Sequence, residues 1–406
     1  MVNVKGLLIV LLVAFTFSAC DILSNSDGNN FKVDVNNNIE SLNERIQIIN
    51  QPIVLDSSRS KASINSSSIE LRLVANVNSP ELNGDTLSAT SIDIRANKIY
   101  ISYHLYKDAY GGAVDIIDIP NQDEPNPTFV SQITIADTDI NDINVEENNK
   151  LLWITGGRDV SSSAYSTDGH NGAIIGEFTI DNNEILGNSY RETPLPSYSG
   201  NDIVDAPGNN YLYVATGATG GGFYQLSKSK PDFNILNRKD TDFAKSIVKR
   251  GSDIVGLNLT DDHNANFMVM DSGLDNATNY TTPFKVHPVD GKNVLEHPEN
   301  ITYVALGNQG VKGFKFNSES DPDYEFNPKG TDASNGVTVS GKHVFIANGT
   351  DGLFITDKAK SPNKEPVKIY QWKRDNGSAN FVKTRGNLVV LANGKDGVNI
   401  LKIVRE

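Results

Sequence analysis

Hydrophobic residues in this chain come as short β-rich runs, each ended by a small or turn-forming residue. The clearest case is His343-Val344-Phe345-Ile346-Ala347-Asn348-Gly349-Thr350-Asp351-Gly352-Leu353-Phe354-Ile355-Thr356-Asp357, which reads as strand, tight turn, strand. Asn-Gly and Asp-Gly supply the positive φ that a hairpin needs. The pattern recurs. Its other instances centre on Tyr100–Ser102 with Val114–Asp118, Leu152–Ile154 with Ala173–Ile175, Leu212–Ala215 with Phe223–Leu226, Ile254–Leu257 with Phe267–Met270, Tyr303–Ala305 with Val311–Phe314, and Val389–Ala392 with Val398–Leu401. A shorter β-rich run precedes each hairpin, such as Ile92-Asp93-Ile94 or Val337-Thr338-Val339. A fourth run follows, such as Phe129–Ile133 or Val367–Tyr370, with Pro127 and Pro366 at the edge position that tolerates a residue lacking an N–H.

A unit of several strands that returns roughly every 42–60 residues predicts an all-β, seven-bladed β-propeller of four-stranded blades. The seventh unit stops after its third strand, at Lys402-Ile403-Val404, and a lone run, Glu70–Ala75, precedes the first. Laying that run on the outer edge of the last blade closes the ring and leaves no gap between blades. The recurrent Ile-x-Asp ending, with nine positions from Asp118 to Pro127 and again from Asp357 to Pro366, resembles the bacterial LVIVD-type repeat. That resemblance covers about residues 70–406 and is clearest in units one, six and seven. It implies the propeller fold and little about chemistry. Unit four departs from it at Gly256 and Asn258, and unit two carries a long hairpin insertion.

The front of the chain follows a different rule. Lys5 is followed by an apolar run, Leu7–Phe17, too short to span a bilayer, and then by Phe17-Ser18-Ala19-Cys20. This resembles a bacterial lipoprotein signal peptide with its lipobox. The resemblance implies that residues 1–19 are removed and that Cys20 carries the acyl groups, palmitate among them, that hold the protein on a membrane. Cys20 is the only cysteine, so no intramolecular disulfide forms. The expected address is the cell envelope, at the outer membrane, on its periplasmic side or at the cell surface. Asp21 accords with inner-membrane retention in some enteric bacteria and with surface export in other phyla. Residues 20–36 read as a polar tether, 37–50 as an amphipathic helix with Ile39, Leu42, Ile46 and Ile49 on one stripe, and 51–69 as a linker.

Lysine plus arginine number 36 against 50 acidic residues, a net charge of −14. That balance argues against nucleic acid, whose backbone wants a basic face, and against electrostatic docking on an anionic membrane. Candidate chemistry lies in the loops between second and third strands, on the face where a rigid scaffold presents variable segments. One holds Tyr103, His104, Tyr106, Lys107, Asp108 and Tyr110; another Arg158, Asp168 and His170; a third Asp262 and His263. Tyrosines there suit recognition of a protein or glycan partner. The start of each innermost strand carries a small or oxygen-bearing residue: Ser91, Asp142, Asp202, Ser246, Asn293, Gly336 and Asn380. In a propeller these ring the central channel, offering oxygens to structural water or to a hard cation such as calcium. No Gly-x-Ser-x-Gly element is present, and the glycine run 217–222 lacks the Lys-Ser/Thr ending of a phosphate loop. The expectation is a binding or scaffold protein with no cofactor. The alternative is a propeller hydrolase, lactonase-like or glycan-cleaving, using His104, Asp168, His170 and His263 as metal ligands or acid/base groups.

Overall fold

The computed structural model describes residues 33–57 and 69–405, except 106–108, 147, 149, 162–170, 182–183, 207, 218–219, 231, 288–291, 317–320, 329, 331, 359–362 and 375. Residues 1–32, with the signal segment and Cys20, lie outside the described residues, as do Tyr106, Asp108, Asp168 and His170. No helix among the described residues is long and apolar enough to cross a membrane.

Seven antiparallel sheets of four or five strands follow one another along the chain. Their innermost strands are Ser88–Arg95, Thr138–Val145, Ser199–Asp205, Ala244–Arg250, Leu295–Glu296, Gly336–Ser340 and Phe381–Arg385, in blades 1 to 7. The hairpin His343–Ala347 with Leu353–Asp357 pairs in unbroken register, His343 opposite Asp357 and Ala347 opposite Leu353. Gly349 and Gly352 take the left-handed φ values, 50° and 83°, that the turn requires.

The hydrophobic runs are continuous, not alternating, because each blade is buried on both faces. Val344 and Ile346 join the core shared with blade 5, and Phe345 and Ala347 the core shared with blade 7. Seven apolar clusters result, one between each adjacent pair of blades. The cluster between blades 7 and 1 closes the wheel. Glu70–Val77 pairs with Val398–Arg405, Leu71 opposite Ile403 and Val77 opposite Val398, so the first strand of the ring completes the last blade.

The segment before that strand departs from expectation. The stripe read as a helix over 37–50 forms a helix only at Ile39–Asn43, capped where the Asn38 side chain accepts from the Ser41 N–H. Ile46–Pro52 is instead a strand on the outer edge of Glu70–Val77, and Val33–Asn36, expected within the tether, is a strand on the outer edge of Thr128–Ile135. Only Leu42 of the stripe is fully buried; Ile39 is 45% exposed. The physical reason is competition. Two open sheet edges lie on either side of the closure, and pairing with them satisfies more backbone groups than an isolated short helix can. Arg45 ties the segment down. Its guanidinium donates to both Asp115 carboxylate oxygens, at 3.0 and 2.5 Å, and to the Asn78 carbonyl. Residues 33–52 thus form a clasp over the seam between blades 7 and 1.

Candidate functional site

Innermost strands begin on the same face as the connections between second and third strands, since Ser88 pairs with His104 and Ser199 with Gly217. At that face the channel opens into a cavity of about 320 Å³ to which every blade contributes one residue: Thr90, Asn141, Asn201, Lys245, Lys292, Asn335 and Asn380. His104 completes the lining. Beneath lies a narrower chamber of about 100 Å³, lined among others by Ser91, Asp142, Asp202 and Ser246 and reached past Lys292.

In blades 1, 2, 3, 6 and 7 a belt of bonds holds the mouth residue to the next blade. Thr90 Oγ1 donates to the Ile140 carbonyl at 2.9 Å, Asn141 Nδ2 to Gly200 at 2.9 Å and Asn201 Nδ2 to Ala244 at 2.8 Å. Asn335 Nδ2 donates to Ala379 and Asn380 Nδ2 to Ala89, each at 3.2 Å. A side-chain amide facing a carbonyl must present its nitrogen, so the belt also fixes which way these asparagines are turned.

The deeper residues make a second belt. Ser91 Oγ donates to Asp142, whose other oxygen accepts the Ile203 N–H at 2.9 Å. Asp202 accepts from Ser246 Oγ and from the Ile247 N–H at 2.9 Å, and Ser246 Oγ accepts the Leu295 N–H at 3.0 Å. Lys292 Nζ reaches the Asn141 carbonyl and lies 3.8 Å from Asp142 Oδ1. Burial draws the Lys292 ammonium down, and Asp142 and Asp202 oppose that. Burial, then the neighbouring Asp142, pushes the Asp202 carboxyl well up. Calcium would need six to eight free oxygens. Here both Asp142 oxygens and Asp202 Oδ2 are engaged by hydroxyls and N–H groups, and an ammonium already faces Asp142. The donor set fits an internal cation better than a bound one.

Other anticipated ring members divide. Asn380 lines the mouth. Asn293 is buried with φ 57° and donates to the Ala305 carbonyl at 3.3 Å, and Lys292 lines the channel there instead. Gly336 packs so closely on blade 7 that a Cβ would sit 3.0 Å from the Phe381 Cα.

The loop candidates also divide. Arg158 is buried in blade 2, paired with both Glu192 oxygens at 2.8 and 2.5 Å and with Asp137 at 2.9 Å, so it serves the fold and not a ligand. Tyr103 is buried in the core between blades 7 and 1. His104 stands at the mouth; burial, reinforced by the Lys292 charge, brings its pKa down to about 4, leaving a neutral imidazole at neutral pH. His263 sits in the blade 4 turn at φ 61°, its ring 6.5 Å from that of His287. Asp262 is exposed beside it. No cluster of three or more His, Cys, Asp or Glu side chains suited to a metal occurs among the described residues. Tyr110, 41% exposed, remains on the mouth face. Its ring and the Tyr198 carbonyl lie 3.8 and 3.4 Å from where a Gly157 Cβ would stand. Tyr198 and Val160 are also exposed, and Val160 lies 3.5 Å from the corresponding point at Gly172. Ser199, next to Tyr198, accepts from Asn141 at 2.9 Å, which joins this aromatic patch to the mouth.

The chain is a seven-bladed β-propeller. Solved structures agree: it is similar to the Cps50 (Swd1) β-propeller domain of Myceliophteria thermophila, at TM-score 0.55 and 9% identity over 81% of this chain and 100% of that one. It is likewise similar to the RRP9 WD40 repeats, at TM-score 0.53 and 11% identity over 86% of this chain and 100% of that one. At such identities the likeness is one of fold alone. No protein-family model and no curated protein matches the sequence.

Sequence reasoning missed Lys245 and Lys292: Ser91, Asp142, Asp202 and Ser246 line the deeper chamber, and the residue just before each lines the mouth. In blades 1 to 4 a β-bulge separates Ala89 from Ser91, Ile140 from Asp142, Gly200 from Asp202 and Ala244 from Ser246. The bulged residue escapes the period of two and turns to the mouth. The available signal was a polar residue repeated one position before the ring.

Proposed function

We propose that this propeller is a lipid-anchored cell-envelope protein that binds a protein or glycan partner on its mouth face and acts as a receptor or scaffold. The observation that carries it is the juxtaposition of exposed Tyr110, Val160 and Tyr198 with a cavity to which all seven blades contribute. Tyrosines give large rigid contact area with a polar tip, and the wheel behind them holds them at little entropic cost. Anchoring rests on the lipobox ending at Cys20 and the polar segment after it. The envelope address, at the outer membrane, belongs to the same proposal.

The test is a double substitution, Tyr110→Ala with Tyr198→Ala, in cells where envelope partners are cross-linked to the propeller and identified, alongside binding to an array of defined glycans. Loss of the wild-type partner with an unchanged melting temperature is the expected result. Retention of the same partner at the same level would move the binding face elsewhere. Metabolic labelling with a palmitate analogue tests the anchor: label on the wild-type chain should vanish in Cys20→Ser.

A further inference from the structure

We propose that the channel mouth is the binding site for an acidic sugar, a hexuronate-type residue at the end of a glycan, with Lys245 and Lys292 meeting its carboxylate and the amide oxygens of Asn201 and Asn335 meeting its hydroxyls. This rests on the binding role proposed above and names its ligand class.

Three observations carry it. First, the mouth is a cationic spot on an acidic protein. Two lysines line it, whereas the chain as a whole is at −14. The carboxylates beneath are already bonded, Asp142 to Ser91 Oγ and the Ile203 N–H, and Asp202 to Ser246 Oγ and the Ile247 N–H. Lys292 is itself held by the Asn141 carbonyl and faces Asp142 at 3.8 Å, and the three N–H donors of an ammonium let it bridge to an incoming carboxylate as well.

Second, the belt decides what the asparagines can offer. With one Nδ2 hydrogen of Asn201 and of Asn335 spent on the Ala244 and Ala379 carbonyls, each retains Oδ1, an acceptor with no other partner among the described residues, and a second Nδ2 hydrogen. An amide with an open acceptor beside a donor pairs fully with a hydroxyl, which both donates and accepts, whereas a bare anion such as phosphate can use only the donor. These two amides beside ammonium donors thus suit a molecule that carries hydroxyls and a carboxylate together. Neutral His104 adds one more group able to pair with a hydroxyl.

Third, the size is right. About 320 Å³ lies at the low end of small-molecule pockets, roughly 300–1,000 Å³, and admits one terminal group while the rest of a glycan lies across Tyr110 and Tyr198.

Calorimetric titration of the full chain tests this with a uronate-terminated oligosaccharide and its neutral hexose counterpart, next to inorganic phosphate and a short peptide with a free C-terminus. The uronate is expected to bind at least about tenfold more tightly than the neutral sugar, with affinity falling as salt rises, and Lys245→Gln should remove about tenfold of it. Equal binding of acidic and neutral sugars, or no uronate binding, overturns the proposal, and this wild-type comparison stands even if the variant fails to fold. Tighter binding of phosphate overturns it in favour of a bare-anion site, and tighter binding of the peptide in favour of a protein terminus. Absence of uronate binding together with partner loss in Tyr110→Ala/Tyr198→Ala would sink the mouth assignment alone and leave the binding face standing.

Discussion

Blades 5 to 7 and blades 1 to 4 belong to one wheel but are joined to their neighbours in different ways. In blades 5, 6 and 7 the turn after the second strand hooks onto the next blade by its backbone: Gly307 bridges to Ser334, Gly349 to Ala379 and Gly394 to Ala89, the last across the closure. In each, a second glycine, at 310, 352 and 397, ends the turn in the left-handed region. Such a turn admits one length and one shape. In blades 1 to 4 the innermost strand bulges, and the described contacts onward at this face are made by side chains such as Thr90, Asn141 and Asn201. Nothing then constrains the connections 105–111, 159–172, 218–221 and 260–263 to a common length. The lesson is that variation is permitted where the turn is not used as a clasp. The aromatic patch of Tyr110, Val160 and Tyr198 belongs to that arc.

Substitutions on the two arcs test this division. The largest effect is expected in the variable arc, from Arg158→Met. It removes the guanidinium from two buried carboxylates and should lower stability by about 3–5 kcal/mol in urea unfolding. Gly352→Ala, in the uniform arc, puts a Cβ 2.4 Å from the Trp372 carbonyl at φ 83°, and a loss of about 1–3 kcal/mol is expected. If Gly352→Ala proved neutral, the turn clasp would have no energetic meaning. Asn201→Ala and Asn335→Ala remove one belt bond from each arc and should cost about 0.5–1.5 kcal/mol apiece. Markedly unequal losses would show that the belt is not one device.

A further test concerns pH. Burial pushes the Asp139 carboxyl up to about 7, outweighing the N–H groups of Gly111 and Leu105 that favour its ionised form. The folded state therefore keeps this proton from about pH 4 to 7 while the unfolded chain has lost it, and stability falls as pH rises through that window. Asp139→Asn should flatten this part of the stability profile. An unchanged slope between pH 4 and 7 would assign it to other groups.

Much of the architecture was legible in the residues, because propeller strands are short, buried on both faces and punctuated by glycine turns. The unit count, the four-stranded blades and the pairing of Glu70–Val77 with the last unit all follow from that pattern, and the coordinates bear them out. The 37–50 segment was misread because its apolar spacing fits a helix equally well. Only the open edges beside the closure made Ile46–Pro52 a strand. Of the loop candidates, Arg158 and Tyr103 turned inward, since a charged or aromatic residue at a strand end is indistinguishable in sequence from one on the loop beyond it.

What the sequence determined by itself was the repeating local unit: short runs buried on both faces, glycines where φ must be positive, and a last blade whose fourth strand the first run supplies. What the tertiary structure alone decided was which polar residues meet. Thr90, Asn141, Asn201, Lys245, Lys292, Asn335 and Asn380 are scattered along most of the chain, and the bulges that turn several of them to the channel break the very alternation by which a strand is read. Local pattern specifies a blade. Closing seven blades into a ring brings one residue from each to a common axis, and no local pattern encodes that meeting.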